Sequence, residues 1–582
     1  MRDFFTIRLL FTFFFISSSI PVFAQAIDQI LEEDPLSISG GISLNQVAYT
    51  AFGDEDRRSP YTYVLNGNIA ASLYGISIPI SLSYSNQNFD YTYPQPFNQI
   101  SLHPSYKNVR THIGYVNMSF SPYTYQGYTF AGFGTEVTLN DHWDVKAFYG
   151  RFHKAIEYDS LNQNDNLVGS YKRNGFGTQI NYQSGNNRYG FSLFSAKDEE
   201  NSLQNSLDFI DVKPLSNIVL GVNISQSIAQ KIFFQGEVAL SSMNRDNRVT
   251  EEVSDNPFSF LGYRNTSATN LYVAFNTGLS YTGKGYVVGV RYERVAPEYE
   301  TLGAYYFNND LENITTNASV QLFEGKVSVS TNVGLQRDNI AETKHSDMER
   351  LVGSMNLGWQ IHPKLQLSTS YSNFRTYTNV RPIDESFTTL SEYDVLDTLQ
   401  FTQIAETANI SSSWQIQTSK TLSKNLNVNF SWQQSSDEQP LIDSYTSTSM
   451  YNLNTVFGIR DRERNYAISF GANASLNQSP ESNVKTYGPN CSFTKSFFER
   501  KLQTRYAMSW NGVETEGELT NQVMNFRSSA NYSLKEKHNF QLSGVLVSRN
   551  VKNSNDQTAS EFTVTLTYAY NFGATLIEKK EK

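Results

Sequence analysis

The sequence lacks most of what holds exported proteins together. Its 582 residues include a single cysteine, Cys491, so an intramolecular disulfide and a cysteine-based zinc cluster are both excluded. Long hydrophobic runs are missing too. Mean hydropathy is −0.44, and beyond residue 24 no stretch approaches the ~20 consecutive apolar residues that a spanning helix needs. Basic charge is in deficit: 46 Lys and Arg stand against 56 Asp and Glu, a net charge of −10, which argues against nucleic acid as a partner. No Pro/Ser-rich linker, no long charge block and no fixed internal period divides the chain, so one large sheet fits the length better than a string of small domains.

What is present begins with an export signal. Arg2 and Arg8 precede an apolar stretch from Leu9 to Phe23, and Val22-Phe23-Ala24 offers small residues at a cleavage position before Gln25. Ser17-Ser18-Ser19 and Pro21 break the stretch, which argues against a permanent anchor helix. Residues 1–24 are therefore expected to be a signal peptide, cleaved after Ala24 on export through the Sec pathway. Residues 25–36 follow as a short, acidic periplasmic segment.

From there on, alternation dominates. Ile76, Ile78, Ile80, Leu82 and Tyr84 oppose Ser77, Ser81, Ser83 and Ser85. Val327, Val329, Val333 and Leu335 oppose Ser328, Ser330, Asn332 and Gln336, and Phe562, Val564, Leu566, Tyr568, Tyr570 and Phe572 oppose Thr563, Thr565, Thr567 and Asn571. A strand places each set on one face, whereas a helix would scatter them. No helix-period segment is available to cover so much apolar sheet. Lipid can cover it, with the Ser/Thr/Asn face lining a wet interior and closure removing the sheet edges. The 36 Tyr and 39 Phe, many near strand ends, suit the aromatic girdles of such a barrel.

Short turns recur at Gly75, Asn140-Asp141, Ser184-Gly185, Gln230-Lys231 and onward to Glu536-Lys537, with longer connections between them. The pattern predicts an all-β, up-and-down, antiparallel transmembrane barrel of about 24 strands over residues 37–572, with a periplasmic tail at 573–582. Residues 91–126 disturb the order. They contain a strand-like piece, Val109 to Met118, that would put every later short turn on the wrong side if it spanned. Parity is kept by treating 91–126 as a non-spanning insertion, either folded into the lumen as a constriction or packed outside on the rim.

Within this region lie Leu102-His103-Pro104-Ser105-Tyr106-Lys107, Thr111-His112-Ile113-Gly114-Tyr115, Phe120-Ser121-Pro122-Tyr123-Thr124 and, further on, Ala147-Phe148-Tyr149-Gly150-Arg151. With Asp34-Pro35-Leu36 and Ser39-Gly40-Gly41-Ile42-Ser43, this block resembles large outer-membrane barrels of the Bacteroidota over roughly the first 160 residues. The resemblance implies fold and location and brings no activity with it. A barrel of this size also resembles that of TonB-dependent transporters. Those carry a plug domain before the first strand, and residues 25–36 are too short to be one.

Chemistry leaves few marks. The seven histidines form no motif with a mechanism behind it, and no metal-ligand spacing or cofactor signature occurs. Candidate luminal residues are Lys107, Arg110, His112 and Tyr115 of the insertion, with Arg291 and Glu293, which alternate with Val290 and Tyr292 and so face inward. The leading expectation is a conduit for small solutes narrowed by 91–126. A second reading is a non-conducting subunit of a secretion, assembly or surface-display complex, with lipoproteins or secretion components as partners beside outer-membrane lipid. An outer-membrane hydrolase using His112 is the third.

Overall fold

The computed structural model describes residues 36–53, 58–86, 98–158, 169–205, 212–253, 265–304, 309–338, 349–373, 403–437, 446–552 and 557–577, with short pieces at 207–208, 258, 263, 340–341 and 375–376. The signal peptide expected at 1–24 lies outside them, as does the segment expected at 25–36 apart from Leu36, which opens the first strand.

The chain forms one antiparallel sheet of 26 strand positions that closes on itself. Consecutive strands pair around the ring, and the first strand, Leu36–Phe52, pairs with the last, Gln557–Ile577, from Leu36↔Ile577 to Phe52↔Ser560. Closure leaves no unpaired strand edge. The last strand thus continues past Phe572, where a tail was expected, because Gly573 and Ala574 still pair with Ser39 and Ile38.

Face assignment follows the alternation. Outward positions carry the exposed large apolar side chains, among them Val333, Leu335, Leu453, Phe470, Phe562 and Leu566. Inward positions on the same strands are rich in Ser, Thr and Asn, such as Ser328, Ser330, Asn332, Asn452, Asn454, Thr563 and Thr565. Near the short-turn end, aromatic rings gather on the outer surface. Trp143 lies 4.8 Å from Tyr182, and His538 and Phe540 stack beside Tyr570 and Tyr568 at 4.7 and 4.9 Å. Amphipathic rings at this level suit a membrane–water boundary. Gly185, at φ 58°, closes one of the tight turns there in a left-handed conformation that costs glycine nothing.

The expected ring of about 24 strands is found with 26 positions. One expectation is corrected: the described part of 91–126 supplies strands of the ring rather than a non-spanning insertion. Gln99–Leu102 and Ser105–Tyr106 jointly occupy one position, paired with Ile76–Ser85 on one side and Val109–Ser121 on the other. Val109–Ser121 then pairs with Tyr125–Thr138. Two positions are added, so parity survives without an insertion. The first of them hides in the sequence because His103-Pro104 interrupts it and proline gives no N–H to a ladder.

Candidate functional site: a hairpin folded against the inner wall

The hairpin Val109–Ser121/Tyr125–Thr138 has two parts. Its lower part belongs to the wall. Pairing to Gln99–Leu102 ends at Ser101↔Gly114, and pairing to the next strand, Trp143–His153, ends at Ala131↔Arg151. Beyond those points the hairpin pairs only with itself. Register irregularities between Asn117 and Ser121 and a positive φ of 62° at Gly127 supply the bend, as bulges do elsewhere. The tip leans inward and lies on the inner face of the strands from Trp143–His153 to Leu311–Leu322.

Its side chains make a dry core inside the barrel. Val116, Met118, Tyr123, Tyr125, Tyr128 and Phe130 are buried together with the wall residues Phe148, Phe152, Phe194, Val219, Met243 and Val295. Tyr125 and Phe130 have no exposed surface. The Tyr125 ring centroid is 4.5 Å from that of Phe148 and 5.6 Å from that of Phe194, and Phe130 is 4.7 Å from Phe148. Each such pair adds about 0.5–1.5 kcal/mol beyond the area it buries. The wall makes room with glycine. A Cβ on Gly177 would meet Phe148 at 2.5 Å and Phe120 at 2.8 Å, and one on Gly221 would meet Thr124 at 2.7 Å.

A second segment straps the tip in place. The connection after strand Tyr286–Val295 turns inward, with Tyr299 and Leu302 in the same core. The Tyr299 hydroxyl donates to the Tyr123 carbonyl at 2.7 Å, Thr301 Oγ1 donates to the Thr124 carbonyl at 2.7 Å, and the Gln126 N–H donates to the Gly303 carbonyl at 3.0 Å. The strap is itself held to the wall. Its Leu302 N–H donates to Asn217 Oδ1 at 3.2 Å, and Ser241 Oγ donates to the Glu300 carbonyl at 2.6 Å. At the edge of this region Arg173 clasps Asp198 through two parallel hydrogen bonds of 2.8 and 3.0 Å.

The sequence-predicted residues divide. Glu293 faces inward and accepts hydrogen bonds from the Tyr123 hydroxyl and from Asn313 Nδ2, the latter at 3.2 Å. Arg291 shares its face. His112 is buried and faces the lumen, but as part of the wall: its Nδ1 lies 2.7 Å from Nδ1 of His103, and its Nε2 lies 3.3 Å from Glu136. Arg110 sits opposite Glu136 in the register. Lys107 is in the short turn with its ammonium over the Tyr106 ring. Tyr115 is corrected to the outer face, since it follows the parity of Ile113 and Phe133, which are 43% and 48% exposed.

Ser101 Oγ lies 3.0 Å from His103 Nε2, so a hydroxyl, two imidazoles and a carboxylate form a series along which a proton can pass. Ser101 is paired with strands on both sides, which commits its backbone to the ladder rather than to an oxyanion site. Among the described residues no group of three His, Cys, Asp or Glu is placed to hold a metal ion. Sequence reasoning missed the strap entirely and the aromatic tip in part. The one signal for the tip was glycine at alternate inward positions, Gly175 and Gly177, on strands that otherwise carry larger residues.

No protein-family model and no curated protein sequence matches the chain. Solved barrels do superpose on it loosely. The translocation pore of the P pilus usher PapC covers 92% of this chain and 100% of its own, at 10% identity and a TM-score of 0.39. The FrpB iron transporter of Neisseria meningitidis covers 92% and 81%, at 11% identity and 0.38. Acinetobacter baumannii OccAB4 covers 67% and 99%, at 11% and 0.28. At these values the likeness goes no further than barrel architecture.

Proposed function

We propose that the chain is an outer-membrane conduit for small solutes whose lumen is narrowed by the hairpin tip 116–130 and its strap 296–304. The exported chain reaches that membrane after losing residues 1–24. A ring of 26 strands encloses a width that would leave an aqueous channel if unfilled. The observation that carries the reading is the distribution of the filling. Among the described residues the dry core occupies the inner wall over eight of the 26 strand positions, from Trp143–His153 to Leu311–Leu322. Farther round the ring the described inner face carries many small polar side chains, such as Asn427, Asn429 and Ser431 or Thr563, Thr565 and Thr567. A fixed wedge on one side and a wetted wall on the other leave a path between them.

The wedge is built as a permanent part. Its rings are fully buried and its backbone is bonded to the strap, so it is not a detachable plug. Conductance of the purified protein in a planar bilayer tests the reading. Stepwise currents are expected. A protein that inserts correctly and stays closed at all voltages overturns it.

A second reading has its own support. The described residues after Asn244 lie at the end opposite the tight turns, where Arg248 bonds both Asp246 and Asp208. They offer a charged, ordered surface on which a lipoprotein or secretion subunit can sit. Co-purification of a stoichiometric partner with a non-conducting barrel favours that reading.

A further inference from the structure

The short-turn end of the barrel carries charge that turn chemistry does not ask for. Twelve short turns close this end, and all their connecting residues are described. Those residues include twelve Lys and Arg against five Asp and Glu, in a chain where acids outnumber bases by ten. Nine of the twelve turns hold at least one cation, so the charge runs around the ring from Lys107 to Lys537.

Two of the turns share one design. Phe323-Glu324-Gly325-Lys326 and Phe498-Glu499-Arg500-Lys501 each close with the Lys N–H donating to the Phe carbonyl, at 3.2 and 3.0 Å. Phe and Glu are left-handed in both, at φ 52° and 58° in the first and 50° and 55° in the second. Asn and Gly adopt that conformation readily, whereas a bulky ring there is disfavoured. The two rings are also 73% and 70% exposed. Neither turn geometry nor packing within the protein selects them. A headgroup region does take up aromatic rings.

The charge is densest on three adjacent turns, 462–465, 498–501 and 535–537. Arg462, Arg464, Arg500, Lys501, Lys535 and Lys537 are all exposed there, against Glu463, Glu499 and Glu536. The turns are linked. The Ser496 N–H donates to the Asn465 carbonyl at 2.9 Å, and the Ser533 N–H to the Lys501 carbonyl at 2.8 Å. Arg500 Nε donates to Asn465 Oδ1, a neutral acceptor, at 3.2 Å. Asp461, at the edge of the first turn, accepts from the Glu463 and Arg464 N–H groups at 3.0 and 2.9 Å. Beside the turns the outer surface is apolar, with Phe497, Leu534 and Phe540 exposed. Lys495 Nζ stays at the level of these rings, 5.9 Å from the centroids of Tyr466 and Phe497.

Resting on the outer-membrane reading and not on the conduit, we propose that the short-turn end is seated on anionic phospholipid, with the arc 462–465, 498–501 and 535–537 as its main headgroup site. The Phe rings enter the boundary between headgroups and acyl chains. The cations bond phosphodiester oxygens, and each guanidinium meets two at once. Basic segments at a membrane surface attract anionic lipid in this way. The distribution favours lipid over a soluble acidic partner. The cations circle the ring, as an annulus of headgroups does, whereas one docked protein needs its charge on one side.

The test reconstitutes the full barrel in phosphatidylcholine. Electron paramagnetic resonance of spin-labelled phosphatidylglycerol and phosphatidylcholine reads how much of each is held at the protein surface. Wild type is compared with Arg462→Gln/Arg464→Gln/Arg500→Gln/Lys501→Gln, with the charge-keeping Arg462→Lys/Arg464→Lys/Arg500→Lys, and with Lys154→Gln/Lys552→Gln at the opposite end. Wild type should hold phosphatidylglycerol several-fold more strongly, and added salt should weaken the preference. The preference should vanish in the Gln variant and persist in the other two. Equal holding of the two lipids by wild type overturns the seat and leaves the membrane reading standing, whereas holding of neither overturns both. A preference that the Gln variant keeps, or that the Lys variant loses, overturns the arc as headgroup site. Displacement of phosphatidylglycerol by inorganic phosphate at matched ionic strength would mean that the turns take free phosphate, and it overturns the lipid assignment. Should the Gln variant fail to insert, the wild-type comparison of the two lipids still decides. Independently, the added emission of Phe498→Trp should be quenched by lipid carrying a nitroxide near its headgroup. Quenching by aqueous iodide alone puts the ring in water and overturns the seat.

Discussion

Tyr123 and Glu293, 170 residues apart in sequence, are joined inside the barrel by a hydrogen bond from the phenol to the carboxylate. Asn276 Nδ2 donates to the same phenol oxygen at 3.2 Å. The hairpin tip is thus tied to a wall strand well around the ring from its own. Glu293→Ala removes that tie and leaves Asn313 and the phenol without the acceptor they share. Leaving a buried polar group unsatisfied costs about 1–3 kcal/mol. A lower urea midpoint with an unchanged slope is expected, together with noisier single-channel currents. A variant as quiet and as stable as wild type would show that the tie is incidental.

The strap offers a sharper perturbation. Tyr299→Phe with Thr301→Val deletes the donors to the Tyr123 and Thr124 carbonyls while keeping volume. The wall strands are untouched, so heat-modified mobility on gels should persist. Current fluctuations should increase as the tip loosens. Equal fluctuations in variant and wild type would mean that ring packing alone holds the tip.

Glycine provides a paired experiment. Gly177→Val must displace the Phe148 and Phe120 rings, and overpacking of this kind costs about 1–3 kcal/mol. Gly573→Ala, also on an inward position, meets nothing nearer than Ser39 at 3.9 Å and should be tolerated. The two variants should therefore differ in urea midpoint. If both are neutral, the inward core is looser than its burial implies.

Arg173 and Asp198 form a buried pair at the edge of the wedge, with Asp198 also accepting from the Leu215 N–H at 2.9 Å. Breaking a buried pair by removing one partner costs about 3–5 kcal/mol. Asp198→Ala should lower the urea midpoint more than any exposed acidic substitution does, for example Glu463→Ala in a short turn. A smaller effect than that of Glu463→Ala would contradict the pairing.

In the connection after Asn244, Arg248 bonds Asp246 and Asp208. The hydrogen bond from Arg248 holds the Asp246 carboxyl below its ordinary range. A carboxylate with a depressed pKa in the folded state stabilises above its ordinary pKa and loses that contribution as pH falls through the depressed value. The connection should therefore resist acid-active proteases down to a pH below the usual carboxylate range and open beneath it. Asp246→Asn should abolish the pH dependence. Because the pair lies in a connection outside the strands, the effect is confined to local protection.

How much of this was legible in the sequence differs between wall and interior. The strands with strict alternation, such as Ile76–Ser85 and the run ending at Phe572, declared both their pairing and their faces, because a period of two is only stable with one face in each medium. Gln99–Leu102 and Ser105–Tyr106 were hidden, since Pro104 breaks the alternation and the two pieces are short. Inward orientation was legible for Glu293 and Arg291 but failed for Tyr115, whose face depends on the register of a strand mistaken for an insertion. The tip was expected somewhere within 91–126, yet residues 99–115 are wall and the tip runs on to Phe130. The strap could not be foreseen, because Tyr299 and Thr301 act through backbone carbonyls of a distant segment and leave no local pattern.

The central claim is that the tip narrows a conducting lumen, and shortening it is the direct test. Residues Ser119–Gly127 are replaced by an Asn-Gly turn, which keeps the wall register of the hairpin, and conductance is measured beside wild type in the same planar bilayers. Both proteins are first shown to insert and to retain heat-modified mobility. The account predicts a larger unit conductance for the shortened hairpin. Equal conductance in the two would contradict it, and the wedge would then be a packing device beside a path that it does not control.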